Sequence, residues 1–256
     1  MKLLITALAV LISFTLHSQN DPLYVAAKTG LSIREKPDPA SKVLDKIPYG
    51  TKVNFIDEDG GWTTIITEEL TGYWRKVKYN NKTGYIVDSY LFPWPPPKLA
   101  TVKEMKQYLS QVSVPFGQKL VTRSGAAPQI PESGWQLSKQ LYKNGAEHHD
   151  FLAYEYASDT YFLPGFSLQQ GFLLLRLIPE FKDVFGEKDV FPTASKTITK
   201  DGREYDIKLF KTVDDPEYGG PFTIEKIRIS YDDGASYVFE MYMQENQLVV
   251  LLSGGL

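Results

Sequence analysis

The chain has 256 residues, of which 43% are hydrophobic and 23% are charged, and its formal net charge is −3. These proportions are typical of a folded protein and exclude a chain that is disordered throughout. The slight acidic excess argues against binding to nucleic acid or to anionic lipid, because both require a basic surface. The absence of cysteine excludes disulfide bonds, thiolate metal sites and cysteine nucleophiles.

The first twenty residues have the pattern of a secretory signal peptide. Lys2 supplies a positive charge, an apolar run extends from Leu3 to Leu16, and Ser18 is a small residue suited to a cleavage site. This run is shorter than the roughly 18–20 apolar residues of a membrane-spanning helix. We therefore predict that residues 1–20 are removed and that the rest of the chain is exported, to the periplasm or the medium, with no membrane insertion.

Residues 22–92 consist of short apolar strands separated by turn signals. The clearest hairpin is YWRKVKYNNKTGYIV, in which Asn80-Asn81 suits a two-residue turn because asparagine tolerates positive φ. Alternation along this hairpin places Val77 and Ile86 on the core side and Trp74 and Tyr85 on the opposite side. The opposite side is predicted to be an aromatic platform for a peptide or a sugar. The alternative is that these rings only close the barrel or cover a second unit.

The same region carries an ordered set of motifs, namely TGLSIR at residues 29–34 followed by Pro37, YGTKV at 49–53, the hairpin, and SYL at 89–91. In this order they resemble the bacterial SH3 (SH3b) domain family. The resemblance covers residues 22–92 and implies a small, partly open barrel of five to seven strands that binds cell-wall peptides or acts as a targeting module. Arg34 is expected to pin the first long loop by hydrogen bonds. The candidate ligand-binding residues are Arg34, Trp62, Trp74, Tyr85 and Tyr90.

Two departures from the family pattern affect this candidate site. Lys36 stands where the family has glycine before a proline, so the first long loop must avoid positive φ there or accept strain. Residues 63–73 are inserted between Trp62 and Trp74. We expect the insertion to form an extra strand or a long hairpin, which would wall, extend or block the groove.

A proline-rich segment, residues 93–100, is predicted to be a stiff extended linker between two domains. The next residues carry a helix signal, because Thr101 and Glu104 have the spacing of a capping box and apolar residues recur at helical intervals after them. The second domain is therefore predicted to begin with an amphipathic helix near Thr101.

Residues 101–256 are predicted to form an α+β domain, in which a buried helix packs on one curved antiparallel sheet. Ser167 and Gln170 have capping-box spacing before a helix that is apolar nearly all round. Turn signals such as Asn144-Gly145 and Asp233-Gly234 separate the predicted strands. The fold prediction for the whole chain is thus an all-β SH3-like barrel followed by an α+β domain, which resembles no family that we recognise.

The sequence AEHHD, residues 146–150, is the only histidine cluster outside the predicted signal peptide. On a strand, His148 and Asp150 share one face, and two ligands are too few for a zinc site, so we predict no metal and no cofactor. Cysteine peptidases, zinc amidases and Ser-x-x-Lys enzymes are excluded because their characteristic residues are missing. A glycoside hydrolase that uses two carboxylates stays open, because acidic residues are plentiful.

These observations leave three hypotheses about function. The first is a non-catalytic, monomeric protein of the bacterial envelope whose SH3-like unit binds a cell-wall peptide or a protein segment. The second is a carboxylate-dependent hydrolase of cell-wall glycan that the same unit targets. The third is a structural subunit whose SH3-like face is docked on its own second domain, and burial of Trp74 and Tyr85 against residues 101–256 would favour it.

Overall fold

The structure is a computed structural model that describes residues 22–56, 63–125, 134–213 and 222–255. The predicted signal peptide, residues 1–20, lies outside the described residues, and so does the candidate site residue Trp62. In the described part of the chain, no helix has the length and apolar character needed to cross a membrane.

The described residues are mostly β-strand, arranged in three antiparallel sheets, and they include two α-helices. The N-terminal unit contains β1 (Leu23–Val25), β2 (Leu31–Arg34), β3 (Val43–Ile47), β4 (Lys52–Val53), β5 (Thr64–Thr67), β6 (Leu70–Tyr79), β7 (Lys82–Val87) and β8 (Leu91–Phe92). The second unit contains α1 (Met105–Val112), β9 (Pro115–Ser124), β10 (Trp135–Tyr142), β11 (Glu147–Ala153), β12 (Tyr156–Pro164), α2 (Leu168–Leu177), β13 (Lys196–Lys200), β14 (Arg203–Val213), β15 (Phe222–Asp232), β16 (Ser236–Gln244) and β17 (Gln247–Gly255).

The N-terminal unit is built from two small sheets, with strand orders β3-β2-β7-β6-β5 and β4-β1-β8. The hairpin prediction is confirmed, because Tyr79 pairs with Lys82 and the register continues without a bulge to Trp74 opposite Val87. Both turn residues of this hairpin, Asn80-Asn81, have positive φ. Among the described residues, the barrel core comprises eight buried apolar ones: Val25, Leu31, Ile33, Ile47, Val53, Val77, Ile86 and Leu91.

The second unit is dominated by one nine-stranded antiparallel sheet, of order β13-β14-β15-β16-β17-β12-β11-β10-β9. Two meanders, β9 to β12 and β13 to β17, join where β12 pairs with β17. Helix α2 lies on one face of this sheet, and it approaches so closely that a Cβ added to Gly171 would meet the side chains of Leu248 and Met241. Sheet residues predominate in this unit, so the structure supports a mostly β protein, and the α+β assignment is not confirmed.

The two helices begin differently from one another. Helix α2 follows the prediction, because the Ser167 hydroxyl accepts from the Gln170 amide at 3.2 Å and the Gln170 side chain accepts from the Ser167 amide at 3.0 Å. Helix α1 begins at Met105, later than predicted, because the Thr101 amide donates to the Lys98 carbonyl in a preceding turn. The capping residue of α1 is therefore Glu104.

The N-terminal unit and the second unit share buried contacts. Ala26, Leu70 and Phe92 belong to the large core cluster of the second unit, not to the barrel core. The linker is also held in place, since Trp94 packs edge-on against Phe166 with ring centroids 5.0 Å apart. The Tyr49 hydroxyl donates to the Pro97 carbonyl at 2.7 Å. The proline-rich segment thus packs against both units.

Candidate functional site

A cleft of about 560 Å³ lies between the N-terminal barrel and helix α2. One wall is the outer face of the barrel sheet, with Ser32, Arg34 and Trp74, and the facing wall is the Leu173–Leu177 side of α2. Charged side chains from both units stand at its rim. The cleft therefore requires both units.

The strand register explains why Trp74 faces this cleft. Val77 and Ile86 point into the barrel core and are almost fully buried. Because side chains alternate along a strand, Trp74 points to the opposite side of β6. That side faces α2, and only 6% of the Trp74 surface is exposed.

The structure brings together three of the five candidate site residues. Arg34, Trp74 and Tyr90 all line the cleft. Tyr85 does not line it, although Tyr85 pairs with Arg34 across the sheet. The Tyr85 ring instead lies beside the Lys76 ammonium group, 5.7 Å from the ring centroid. The predicted platform of Trp74 and Tyr85 is therefore divided, with one ring inside the cleft and the other outside it.

The inserted segment forms the β5–β6 hairpin, and this hairpin walls the cleft. Ile65 and Thr67 line the cleft, while Ile66 points away and is 66% exposed. At the tip, Glu68 and Glu69 have positive φ, and the Glu68 carbonyl accepts from the Phe191 amide at 3.2 Å. The expectation of an additional hairpin beside the groove is confirmed, and its tip is attached to the second unit.

Ion pairs cross the rim of the cleft. The Arg176 guanidinium contacts the Glu68 carboxylate at 2.7 Å and donates to the Glu187 carbonyl at 2.5 Å. Lys28 pairs with the Glu187 carboxylate at 2.8 Å, and this hydrogen bond lowers the pKa of Glu187. Burial raises the pKa of Tyr90 to about 12. The cleft thus combines apolar walls with a charged, hydrogen-bonded rim.

Arg34 connects the cleft to the first long loop. Its guanidinium donates to the Ser41 carbonyl at 2.6 Å, which confirms the predicted pinning of the loop. The Lys36 amide donates to the Ser41 hydroxyl at 3.0 Å. Lys36 is not among the residues with positive φ. The loop therefore needs no glycine at this position, because the backbone of Lys36 has an ordinary conformation. Hydrogen bonds to Ser41 close the loop.

The histidine cluster lies away from the cleft, on the large sheet. His148 is 6% exposed, and its Nε2 lies 2.6 Å from the Asp159 carboxylate, which also pairs with Lys106 at 3.0 Å. Burial opposes ionisation of Asp159, but hydrogen bonds from His148 and Lys106 lower its pKa overall. His149 points to the opposite face and contacts Glu147, as alternation predicts. No group of three potential metal ligands occurs among the described residues.

The residues that the second unit contributes to the cleft were missed by sequence reasoning. Leu173, Leu177 and Arg176 come from α2, and Glu187 follows that helix. The sequence predicts that α2 is buried, but nothing in its pattern identifies the surface that covers it. The one available signal was Arg176, a charge inside an otherwise apolar helix.

The family model of the bacterial SH3 domain matches residues 29–92. No curated protein and no solved structure matches the chain. The match includes β2 to β8, and with them every cleft residue that the barrel contributes from Thr29 onward. Residues 29–92 of this chain therefore belong to the bacterial SH3 domain family.

Proposed function

We propose that this chain is a non-catalytic binding protein of the bacterial envelope, and that its cleft binds an extended segment of a cell-wall peptide. The observation that carries this proposal is the cleft itself, because an outer face of the bacterial SH3 domain and helix α2 enclose it together. Cell-wall components are the ligands typical of this domain family. The predicted export of the chain would place it beside such a ligand.

The walls of the cleft suit an extended peptide. Within the described part of the barrel, β7 pairs with β2 only at Arg34, so Thr29 to Ser32 run along the cleft with no β7 partner. An unpaired strand edge offers backbone hydrogen bonds to an added peptide strand. Ile65 and Leu177, which line the cleft and are only half-buried, supply apolar contact area for its side chains.

The acidic residues of the cleft support a non-catalytic role. Glu68 and Glu187, the carboxylates that line it in the described part of the chain, are both engaged with cations. A glycosidase needs one carboxylic acid whose pKa is raised, so that it donates a proton at neutral pH. The pKa of Glu187 is lowered by Lys28, which is the opposite of this requirement.

A second candidate function has its own observation in favour. Trp74, whose burial was expected to favour a docked SH3-like face, is 6% exposed and faces α2, whereas Tyr85 is half-buried and lies outside the cleft. Leu70 and Phe92 of the N-terminal unit are completely buried in the core of the second unit. Such burial fits a structural subunit in which the SH3 domain is an internal support, and the cleft would then bind nothing. The binding experiment distinguishes the two proposals.

The experiment is retention of the purified chain on insoluble peptidoglycan. We expect the wild-type protein to be retained and Ile65→Lys to weaken retention at least about tenfold, because that lysine places a charge in the apolar wall. Ile66→Lys is the matched control, since Ile66 is the adjacent residue and points away from the cleft. The whole chain is used because the barrel shares buried residues with the second unit.

Absence of wild-type retention, beside a known bacterial SH3 domain that is retained, would contradict the ligand proposal and favour the structural one. Equal loss in Ile65→Lys and Ile66→Lys would show that retention does not depend on the cleft. Retention that only Ile65→Lys weakens would support the proposed site.

A further inference from the structure

We propose that strand β9 is a docking edge for an extended partner segment in which acidic and apolar residues alternate. This surface belongs to the second unit and is distinct from the cleft. It pairs with β10 on one side, and no described strand pairs with it on the other side. An edge strand offers a row of backbone donors and acceptors to an additional strand.

Strand β9 is unusually open for an edge strand. All ten of its residues are exposed. The exposed residues include large apolar ones, with Phe116 at 61%, Leu120 at 59% and Val121 at 47% exposure. Exposed apolar residues clustered along one edge are typical of an interaction site.

The opposite edge of the same sheet shows how a protected edge differs. Strand β13 has five residues, and lysines occupy both of its ends, at Lys196 and Lys200. Short length and terminal lysines are features that prevent strands from adding to an edge. Strand β9 is twice as long, and between Leu120 and Ser124 its edge carries a single charged residue, Arg123.

The two faces of β9 differ in chemistry. Lys119, Val121 and Arg123 share one face by alternation, and β9 contains no acidic residue. On the opposite face Leu120 pairs with Lys139, and Phe116 pairs with Leu141. An added strand would therefore present acidic residues to Arg123 and the neighbouring Lys119, and apolar residues to Leu120.

A register shift limits the docking region. The pairing of β9 with β10 shifts between Lys139 and Leu141, and Gly117 has a φ of +70° at that place. From Leu120 to Ser124 the pairing is regular. Since a bulge bends and twists a strand, the added segment is expected to pair along residues 120–124.

Charge favours an acidic partner over a second copy of this chain. Antiparallel pairing of two β9 strands centred on Val121 would place Lys119 of each copy opposite Arg123 of the other, and like charges that face each other across strands destabilise the pairing. The existing acidic neighbour is Asp150, whose carboxylate lies 4.0 Å from Lys119. An acidic segment would add the negative charge that this edge lacks.

The test measures binding of labelled peptides to the full chain by fluorescence anisotropy. The probe is a seven-residue peptide alternating valine and glutamate, and the control peptide alternates valine and lysine. We expect the glutamate peptide to bind at low salt and the lysine peptide to bind at least about tenfold more weakly. The double variant Lys119→Glu/Arg123→Glu should reverse this preference, and circular dichroism checks that it is folded.

Failure of the glutamate peptide to bind, or binding that charge reversal leaves unchanged, would overturn the proposal. Binding lost in Ile65→Lys and kept in the double variant would also overturn it, because the peptide would then occupy the cleft. A wild-type dimer that the double variant dissociates would identify β9 as an interface between copies instead. Reversal of preference in the double variant, with Ile65→Lys unaffected, would support docking at β9.

Discussion

The two units complete their hydrophobic cores in different ways. The barrel encloses eight buried residues that all come from its own strands. The core of the second unit takes in Leu70 and Phe92, which come from the inserted hairpin and from the last barrel strand. In the described residues, the bacterial SH3 domain thus has a core of its own, and it depends on its neighbour on the side where Leu70 and Phe92 lie. The cleft lies along this dependent side.

The largest expected effect tests that dependence directly. Leu70→Ala should lower the free energy of unfolding by about 2–5 kcal/mol, because a fully buried leucine is lost from the shared core. Denaturant titration followed by circular dichroism and tryptophan fluorescence measures it. Ile66→Ala, on the same hairpin but 66% exposed, should change the free energy by less than about 0.5 kcal/mol. Two separate transitions, with only the barrel destabilised, would contradict a shared core.

Two closely packed glycines, one in each unit, allow the rigidity of their surroundings to be compared. A Cβ at Gly84 would overlap the Arg34 carbonyl oxygen in the barrel, whereas at Gly171 it would meet the flexible side chain of Leu248. Gly84→Ala should therefore cost about 2–3 kcal/mol, and Gly171→Ala less, because a side chain adjusts more easily than backbone. Thermal melts of both variants measure the difference. The reverse order would show that α2 is packed more rigidly than the barrel.

Acid stability tests the Asp159 cluster of the second unit. The lowered pKa of Asp159 in the folded state means that its ionised form stabilises the protein above the ordinary pKa of 3.8. That contribution is lost as the pH falls through the lower folded-state pKa. Asp159→Asn should remove about 1 kcal/mol at pH 7 and flatten the stability profile below pH 4, since it weakens the contacts with His148 and Lys106. Denaturant titrations between about pH 2 and pH 7 measure this profile. An unchanged acid slope would show that other carboxylates determine it.

The smallest expected effect concerns the ion pair between the units. Glu68→Gln should cost about 0.2–1 kcal/mol, because the Glu68 side chain is 43% exposed and solvent screens its contact with Arg176. The cost should shrink in 1 M salt. Chemical denaturation at two salt concentrations measures it, with Glu69→Gln at the neighbouring tip position as the control. A larger loss that persists in high salt would make this pair part of the shared core.

Local signals in the sequence predicted the elements that depend on local chemistry. The β6–β7 hairpin and its register follow from Asn80-Asn81 and from alternation, and α2 begins at the predicted capping box of Ser167. The predicted start of α1 was wrong because two residue pairs have capping-box spacing there. The pair that caps the helix is Glu104 with Gln107, not Thr101 with Glu104. Strands β9 and β12 were missed. Strand β9 has no buried face to produce an alternating pattern.

The cleft could be predicted only in part, because only its barrel side depends on local strand register. Arg34, Trp74 and Tyr90 were identified from barrel motifs, because their positions follow from strand register within one family. The facing wall depends on how α2 meets the barrel. That contact joins residues more than a hundred positions apart, such as Glu68 and Arg176. No periodicity or spacing in a single sequence encodes such a pairing.

The most direct test of the central claim is an NMR titration of the full chain with soluble peptides released from purified cell wall. We expect amide shifts to change on both sides of the cleft, at Ser32 and Thr67 of the barrel and at Leu173 and Leu177 of α2. Shifts confined to the outside of the barrel near Tyr85, or no shifts at saturating peptide, would contradict a binding site that the two units build together.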